Sequence, residues 1–299
     1  MATILRMPLD RPIFVVAPPR CGTTLLYRCI SSHPEVGYLM RAHRKLIHSP
    51  WLAQTLTRFK LFRDSPRESR DIWYRFRRQI ASGMLSKDNK PAAYHDLLTA
   101  EDAHPVERSW FPRFLERVVK HQRARRFAAK LPSHSLQLGW LDALFPGSIF
   151  VQAMRDWRAV VSSTVIKRFE DFDGRWFGVC PPGWQKHIHD APALGAAWQY
   201  LVVHEYLDRE APNYAGRFFR VQYEELCRNP LAVLQKLFEN IDLSWTAEVE
   251  DQIPTDIRPP NDRWREQLSP SDLETIERQH GEALRRYEVK IPIARFTKV

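Results

Sequence analysis

Phe14-Val15-Val16-Ala17-Pro18-Pro19-Arg20-Cys21-Gly22-Thr23-Thr24-Leu25-Leu26 joins an apolar run to a tight basic turn, one glycine, two hydroxyls and an amphipathic helical pattern. A short apolar run bounded by turn residues reads as a buried strand, so the segment predicts a strand over 13–17 and a helix over 23–32. A strand-loop-helix of this kind aims backbone N–H groups and a helix N-terminus at an anion. The Gly-x4-Gly-Lys-Ser/Thr spacing of a Walker loop is absent, and Arg20 stands where the loop begins. The expected ligand carries phosphate but is handled differently from ATP in kinases. Taken alone, Gly-Thr-Thr after a strand is more often an ordinary turn.

A second site raises the case for a ligand. Ser148 to Met154 is another strand-like run, and it ends in Arg155, with Ser163 in the helical segment that follows. Ligands of open α/β sheets collect outside the carboxyl ends of the strands. Two strand-end anion sites suit a nucleotide with phosphate at both ends.

The remaining elements alternate. Strands are predicted at 126–130, 148–154 and 217–222, and helices at 135–145, 193–210 and 229–240. A final helix opens at Ser269-Pro270, with serine as N-cap and proline at the first helical position. Residues 40–128 are basic, aromatic and largely helical and read as an insertion that supplies acceptor-facing surface. Residues 172–192 are rich in Gly, Pro and Trp without periodicity and read as a loop or lid. Alternation of this kind argues for an α/β fold, an open parallel sheet with helices on both faces.

Composition agrees without deciding. The 299 residues carry a formal charge of +10 and a pI near 9.6, which implies anionic partners. Much of that charge lies in Arg41 to Arg78 and Arg117 to Arg126, where solvated helix faces are the ordinary explanation. The four cysteines (Cys21, Cys29, Cys180 and Cys227) lack metal-ligand spacing, and no metal site is expected. No apolar stretch reaches the length of a membrane span, and Met1 to Asp10 lacks the core of a signal peptide. The expectation is a soluble, reduced, cytoplasmic protein, with peripheral membrane contact left open.

Four segments in order carry a resemblance. Pro19-Arg20-Cys21-Gly22-Thr23-Thr24 resembles the 5′-phosphosulfate loop of the PAPS-dependent sulfotransferases, and Arg155 with Ser163 resembles that family's 3′-phosphate site. Val221-Gln222-Tyr223-Glu224-Glu225-Leu226 resembles the family segment whose tyrosine lies by the adenine. Arg258 to Arg265 falls where the family closes a loop over the 3′-phosphate, so Arg258, Arg263 and Trp264 join the nucleotide contacts. The resemblance runs from about residue 12 to residue 288. It implies a P-loop NTPase-like fold, a single sulfotransferase domain over 1–299, and PAPS as sulfuryl donor. Cys21 replaces a usual serine and is a weaker donor, so the loop is expected to rely on backbone N–H groups. Pro259-Pro260 stands where the cytosolic branch has Lys-Gly.

Sulfuryl transfer needs cations at the leaving phosphate and a base for the acceptor proton. Arg20, with its guanidinium fork, is the first expected cation. Lys130, which opens a Lys-Leu-Pro segment like the family's Lys-x-Pro, is the second. For the base, His43 and His134 are the candidates, since histidine titrates in the right range. His134, four residues past Lys130, matches no family spacing. His43 falls where other branches carry a glutamate, and either it replaces that glutamate or the base lies elsewhere. The acceptor is a hydroxyl or amine on a small molecule, lipid or glycan. Trp51, Phe59, Trp73, Tyr74, Trp176 and Trp184 allow an apolar or sugar-stacking one, and the basic segment an acidic one. The alternatives are a P-loop kinase, for which the lysine signature is missing, and a non-catalytic nucleotide- or polyanion-binding protein. No nucleic-acid partner is expected.

Overall fold

The computed structural model describes residues 9–58, 65–76, 94–257 and 262–288. Its centre is β1 (Asp10–Val16), flanked by β3 (Arg126–Lys130) and β4 (Ile149–Met154), with β2 (Val36–Tyr38) and β5 (Phe218–Gln222) at the two edges. Every pairing is parallel, and the order is β2-β3-β1-β4-β5. The chain leaves β1 for one edge, returns through β3, then crosses to β4 on the other side. That reversal opens a crevice at the carboxyl end of β1.

Successive strand side chains point to opposite faces, and both faces of the central strands are apolar. Ile13, Val15, Ala128, Ile149 and Val151 join one core. The helices Thr23–Ser31, Trp157–Phe172, Pro230–Asn240 and Pro270–Leu284 cover it. Phe14, Val16, Phe127, Ala129 and Phe150 join a second core beneath the helices Pro105–Gln122 and Leu138–Leu144. The helix Pro192–Glu210 contributes Ala197 and Tyr200 to the first core and Val203 and Leu207 to the second. The fold is thus α/β with helices on both faces of a parallel sheet. No helix among the described residues is long and apolar enough to cross a membrane.

Some elements differ from their sequence-based expectation. β2 is three residues long with glycine at its centre, too short to show a period. Within 40–128 the helix Pro105–Gln122 is the fold's own crossover into β3, with Phe111, Phe114, Leu115 and Val118 buried against the sheet. Among the described residues of the remainder, the short helices are Arg41–Lys45, Pro50–Arg58 and Arg70–Trp73, with a 3₁₀ turn at Ala100–Asp102. The helix expected over 135–145 begins as a 3₁₀ turn, Pro132–Leu136, and becomes α-helical at Leu138–Leu144. Of the segment 172–192, residues 173–191 are irregular apart from the turn Trp184–His187, but they are tied down. The Asp96 carboxylate accepts the Cys180 N–H at 2.7 Å, the Trp184 indole donates to the Tyr94 carbonyl at 2.7 Å, and Gln199 donates to the Phe177 and Val179 carbonyls.

Phe14 is fully buried, with the rings of Trp73, His134, Phe145 and Phe150 within 6.0 Å. Phe14→Ala should therefore lower unfolding free energy by about 3–5 kcal/mol, read from urea denaturation midpoints; a loss below ~1 kcal/mol would contradict this packing.

Candidate functional site

The strand ends determine what faces the crevice. β1 runs into Ala17-Pro18-Pro19-Arg20, and Arg20 takes a left-handed φ of 70°. Gly22, at φ 83°, is the N-cap of the helix Thr23–Ser31 and makes no side-chain cap. No acidic residue occupies that helix's first turn. Its leading N–H groups have no intrahelical carbonyl to bind, and the helix dipole there favours an anion. A Cβ at position 22 would lie 2.1 Å from Cδ2 of Tyr223, so only glycine lets the tyrosine ring close on the loop. A Cβ at Gly178, also left-handed at φ 93°, would meet Pro19 at 2.6 Å. That contact brings the 177–178 backbone against the loop and Phe177 into the crevice.

Arg155, directly after β4, is buried. Its guanidinium donates to the Arg20 carbonyl at 2.9 Å and lies over the Tyr223 ring, 4.6 Å from the centroid. The Tyr200 hydroxyl donates to the Arg155 carbonyl at 2.9 Å. Ser135 Oγ accepts the Ala17 N–H at 2.9 Å and donates to the Ala17 carbonyl at 2.8 Å, fixing the exit of β1. Glu224 accepts the Asp156 N–H at 3.0 Å, which joins the ends of β4 and β5. The Gln267 side chain accepts from Ser162 and docks the helix Trp264–Gln267 beside the crevice.

The result is a cavity of about 640 Å³. Five cationic side chains (Arg20, Lys130, Arg155, Lys167 and Arg263) and two carboxylates (Glu68 and Glu170) line it, with Gly22, Thr23, Thr24, Ser163, Tyr223 and Trp264 among the other walls. Partial burial, and then the neighbouring Arg155 charge, lower the Arg20 pKa, while burial raises that of the Tyr223 phenol to about 12. Cations held close together in a partly dry crevice favour an anionic ligand.

Several residues predicted from sequence therefore meet: Pro19, Arg20, Gly22, Thr23, Thr24, Lys130, Arg155, Ser163, Tyr223, Arg263 and Trp264 all line one cavity. Others do not. Arg258 lies outside the described residues, as does Phe59. Cys21 turns its thiol into the apolar core, where burial pushes the pKa up. Arg20 reaches the helix Trp157–Phe172 and donates from Nε to Ser163 Oγ at 2.8 Å, so its charge sits beside Arg155. His134 is fully buried with its ring 4.7 Å from that of Trp73, both ring nitrogens without a partner among the described residues, and burial depresses its pKa to about 3. His43 is also fully buried; its Nδ1 accepts the Met40 N–H at 3.0 Å, and burial lowers its pKa to about 4. Neither histidine lines the cavity. Of the aromatic candidates, Trp73, Tyr74 and Trp184 are core residues, Trp176 packs against Trp184 and Trp198, and Trp51 is exposed.

One residue was missed. Glu68 forms an ion pair with Lys130, whose side chain is 9% exposed against 48% for the glutamate. No local spacing announces Glu68, because its partner lies 62 positions later.

A family model described as "Sulfotransferase family" matches residues 12–247. The chain is 25% identical over 263 residues to omega-hydroxy-beta-dihydromenaquinone-9 sulfotransferase Stf3 of Mycobacterium bovis, covering 78% of this chain and 63% of that protein. It is 25% identical over 240 residues to protein-tyrosine sulfotransferase A of Caenorhabditis elegans, covering 79% and 51%. The matched region thus spans less than two thirds of either relative. Among solved structures, sulfotransferase STF9 from Mycobacterium avium superposes with a TM-score of 0.58 at 19% identity, covering 95% of this chain and 78% of that one. That likeness shows the fold.

The buried His134 generates a pH prediction. Its folded pKa of about 3 lies below the ordinary 6.5, so between those values only the unfolded chain binds the proton. Stability then falls as pH drops below about 6.5 and does not change through this group above it. His134→Leu should lose about 2 kcal/mol less than the parent chain between pH 7 and pH 5, measured by urea denaturation at both pH values. Equal losses would mean that the ring is not buried neutral.

Proposed function

Because the chain belongs to the sulfotransferase family, we propose that it transfers a sulfuryl group from PAPS to a hydroxyl of an acceptor and releases adenosine 3′,5′-bisphosphate. The observation that carries this reading is the convergence of Arg20, Lys130, Arg155 and Tyr223, from the ends of β1, β3, β4 and β5, and of Ser163 from the helix after β4, on one cavity. The residues fit the nucleotide. The glycine-closed loop and the uncapped helix start suit the 5′-phosphosulfate, Arg155 with Arg20 and Ser163 form a cationic corner for the 3′-phosphate, and Tyr223 stands on the same wall for the adenine. Arg263 and Trp264 stand at the rim.

PAPS, when bound, supplies a sulfuryl group on a good phosphate leaving group. The chain's own part is positioning and charge stabilisation. Lys130, at the carboxyl end of β3, provides a cation beside the loop for the charge that grows on the leaving phosphate. Glu68, exposed on the opposite side of the pair, takes the acceptor proton at a carboxylate oxygen. The assignment to Glu68 replaces the two histidines, which are buried away from the cavity and held neutral. Both curated relatives are named for hydroxyl-bearing acceptors, an omega-hydroxy menaquinone derivative and protein tyrosine, which favours oxygen over nitrogen as the nucleophile.

Calorimetric titration of adenosine 3′,5′-bisphosphate against AMP and ATP tests the nucleotide assignment. The 3′-phosphorylated nucleotide should bind tightest, and equal affinity for all three would remove the reading. Arg155→Ala should cost that nucleotide about 1.5–3 kcal/mol, the range for a hydrogen bond to a charged group. Glu68→Gln should bind it at least as tightly as the parent chain while lowering kcat by roughly 10²–10⁴; a loss of affinity with kcat unchanged would make Glu68 a structural partner of Lys130.

A further inference from the structure

A second hollow adjoins the first and is too strongly basic to be an ordinary solvated face. It encloses about 510 Å³ and is lined by Arg28, Arg41, Arg44, Arg67 and Arg70. Arg28 comes from the helix Thr23–Ser31, Arg41 and Arg44 from the helix Arg41–Lys45, and Arg67 and Arg70 from the segment that opens the helix Arg70–Trp73. Three separate stretches of chain thus deliver guanidinium groups to one place. Thr24, Glu68 and Lys130 line both hollows, so the second opens where the proposed base and cation meet.

The charges there are not balanced from within. Asp71 pairs with Arg44 at 2.5 Å, and Glu68 is engaged by Lys130. No ion pair holds Arg28, Arg41 or Arg67 among the described residues, and the Arg70 guanidinium lies over the Tyr74 ring at 5.9 Å with a buried Nε that makes no hydrogen bond among them. Like charges around a hollow repel, and an entering anion relieves that repulsion. Guanidinium groups also match phosphate, sulfate and carboxylate with paired hydrogen bonds. The walls offer little to an apolar ligand, since Tyr27 and Pro66 are the main non-ionic surfaces besides Thr24 and Ser69.

We propose that the acceptor is itself an anion, carrying a phosphate, sulfate or carboxylate group close to the hydroxyl that is sulfated. The arginine hollow holds the anionic group while the hydroxyl lies at Glu68 and Lys130. This rests on the sulfuryl-transfer reading above. In the transfer the acceptor oxygen forms its bond to sulfur, the bond from sulfur to the 5′-phosphate oxygen breaks with its electron pair going to that oxygen, and the acceptor proton passes to Glu68. The acceptor's own anionic group is unchanged and serves only to orient.

The test uses two fluorescent phenols of one skeleton, neutral hydroxypyrene and hydroxypyrene trisulfonate, titrated by anisotropy into the chain saturated with adenosine 3′,5′-bisphosphate. The trisulfonate should bind at least about tenfold more tightly than the neutral dye. A double variant, Arg41→Gln with Arg67→Gln, replaces two exposed side chains. It should lose that advantage while keeping the bisphosphate affinity and the thermal midpoint of the parent chain. Equal affinity for the two dyes, or a trisulfonate affinity untouched in the double variant, overturns the proposal. If the bisphosphate binds and the trisulfonate does not, this proposal alone falls. If the bisphosphate fails to bind while the trisulfonate still depends on Arg41 and Arg67, the sulfuryl-transfer reading falls and takes the acceptor assignment with it.

Discussion

The left-handed turn at Arg20 and Gly22 is the constraint on which the carboxyl edge of the sheet depends. A non-glycine residue at φ 70° costs on the order of 1–3 kcal/mol and persists only where its surroundings hold it. Here they come from several strands. Arg155 after β4 grips the Arg20 carbonyl, Ser163 on the next helix takes the Arg20 side chain, and Tyr223 after β5 closes on Gly22. None of these partners is near the loop in sequence. The loop therefore reaches this shape only when β1, β4 and β5 are paired, and the same contacts that hold the strain build the anion site.

The topology also concentrates positive charge at that edge. Parallel strands followed by helices bring each helix N-terminus to the same side of the sheet, and the helix dipoles add to the side-chain charges there. β3 shows the contrast between the two edges within five residues. Arg126, at its start, is buried and donates to the Arg11 and Ile241 carbonyls; burial lowers its pKa to about 10, and backbone oxygens occupy its fork. Lys130, at its end, faces a carboxylate on an exposed segment. The first cation is bound into the scaffold, whereas the second meets a partner that a ligand can displace.

Much of this was legible in the sequence for a physical reason. Buried parallel strands are largely apolar runs, so β1 and β4 stood out, with β3 and β5 as shorter apolar stretches between charged residues, and the residue ending each run pointed to the ligand edge. β2 was not legible, since three residues with a central glycine are too short to show a period. Glu68 was invisible because an ion pair across 62 positions leaves no local trace. The histidines misled for the opposite reason. Residue type suggested a base, but whether an imidazole is wet or enclosed among Phe14 and Trp73 is a property of packing, and for His134 packing makes it a core side chain. Arg20 was found but not its direction, because the guanidinium turns on a contact with Ser163, 143 positions away.

The Glu68–Lys130 pair has two demands placed on it. A lysine side chain only 9% exposed cannot be left without a counter-charge, since a buried unpaired ion is costly. Glu68 meets that need. On the proposed reading, an anionic nucleotide takes over the neutralisation of Lys130, and the carboxylate is then released toward the second hollow, where the acceptor enters. Base and leaving-group cation are thereby made available by the same binding event.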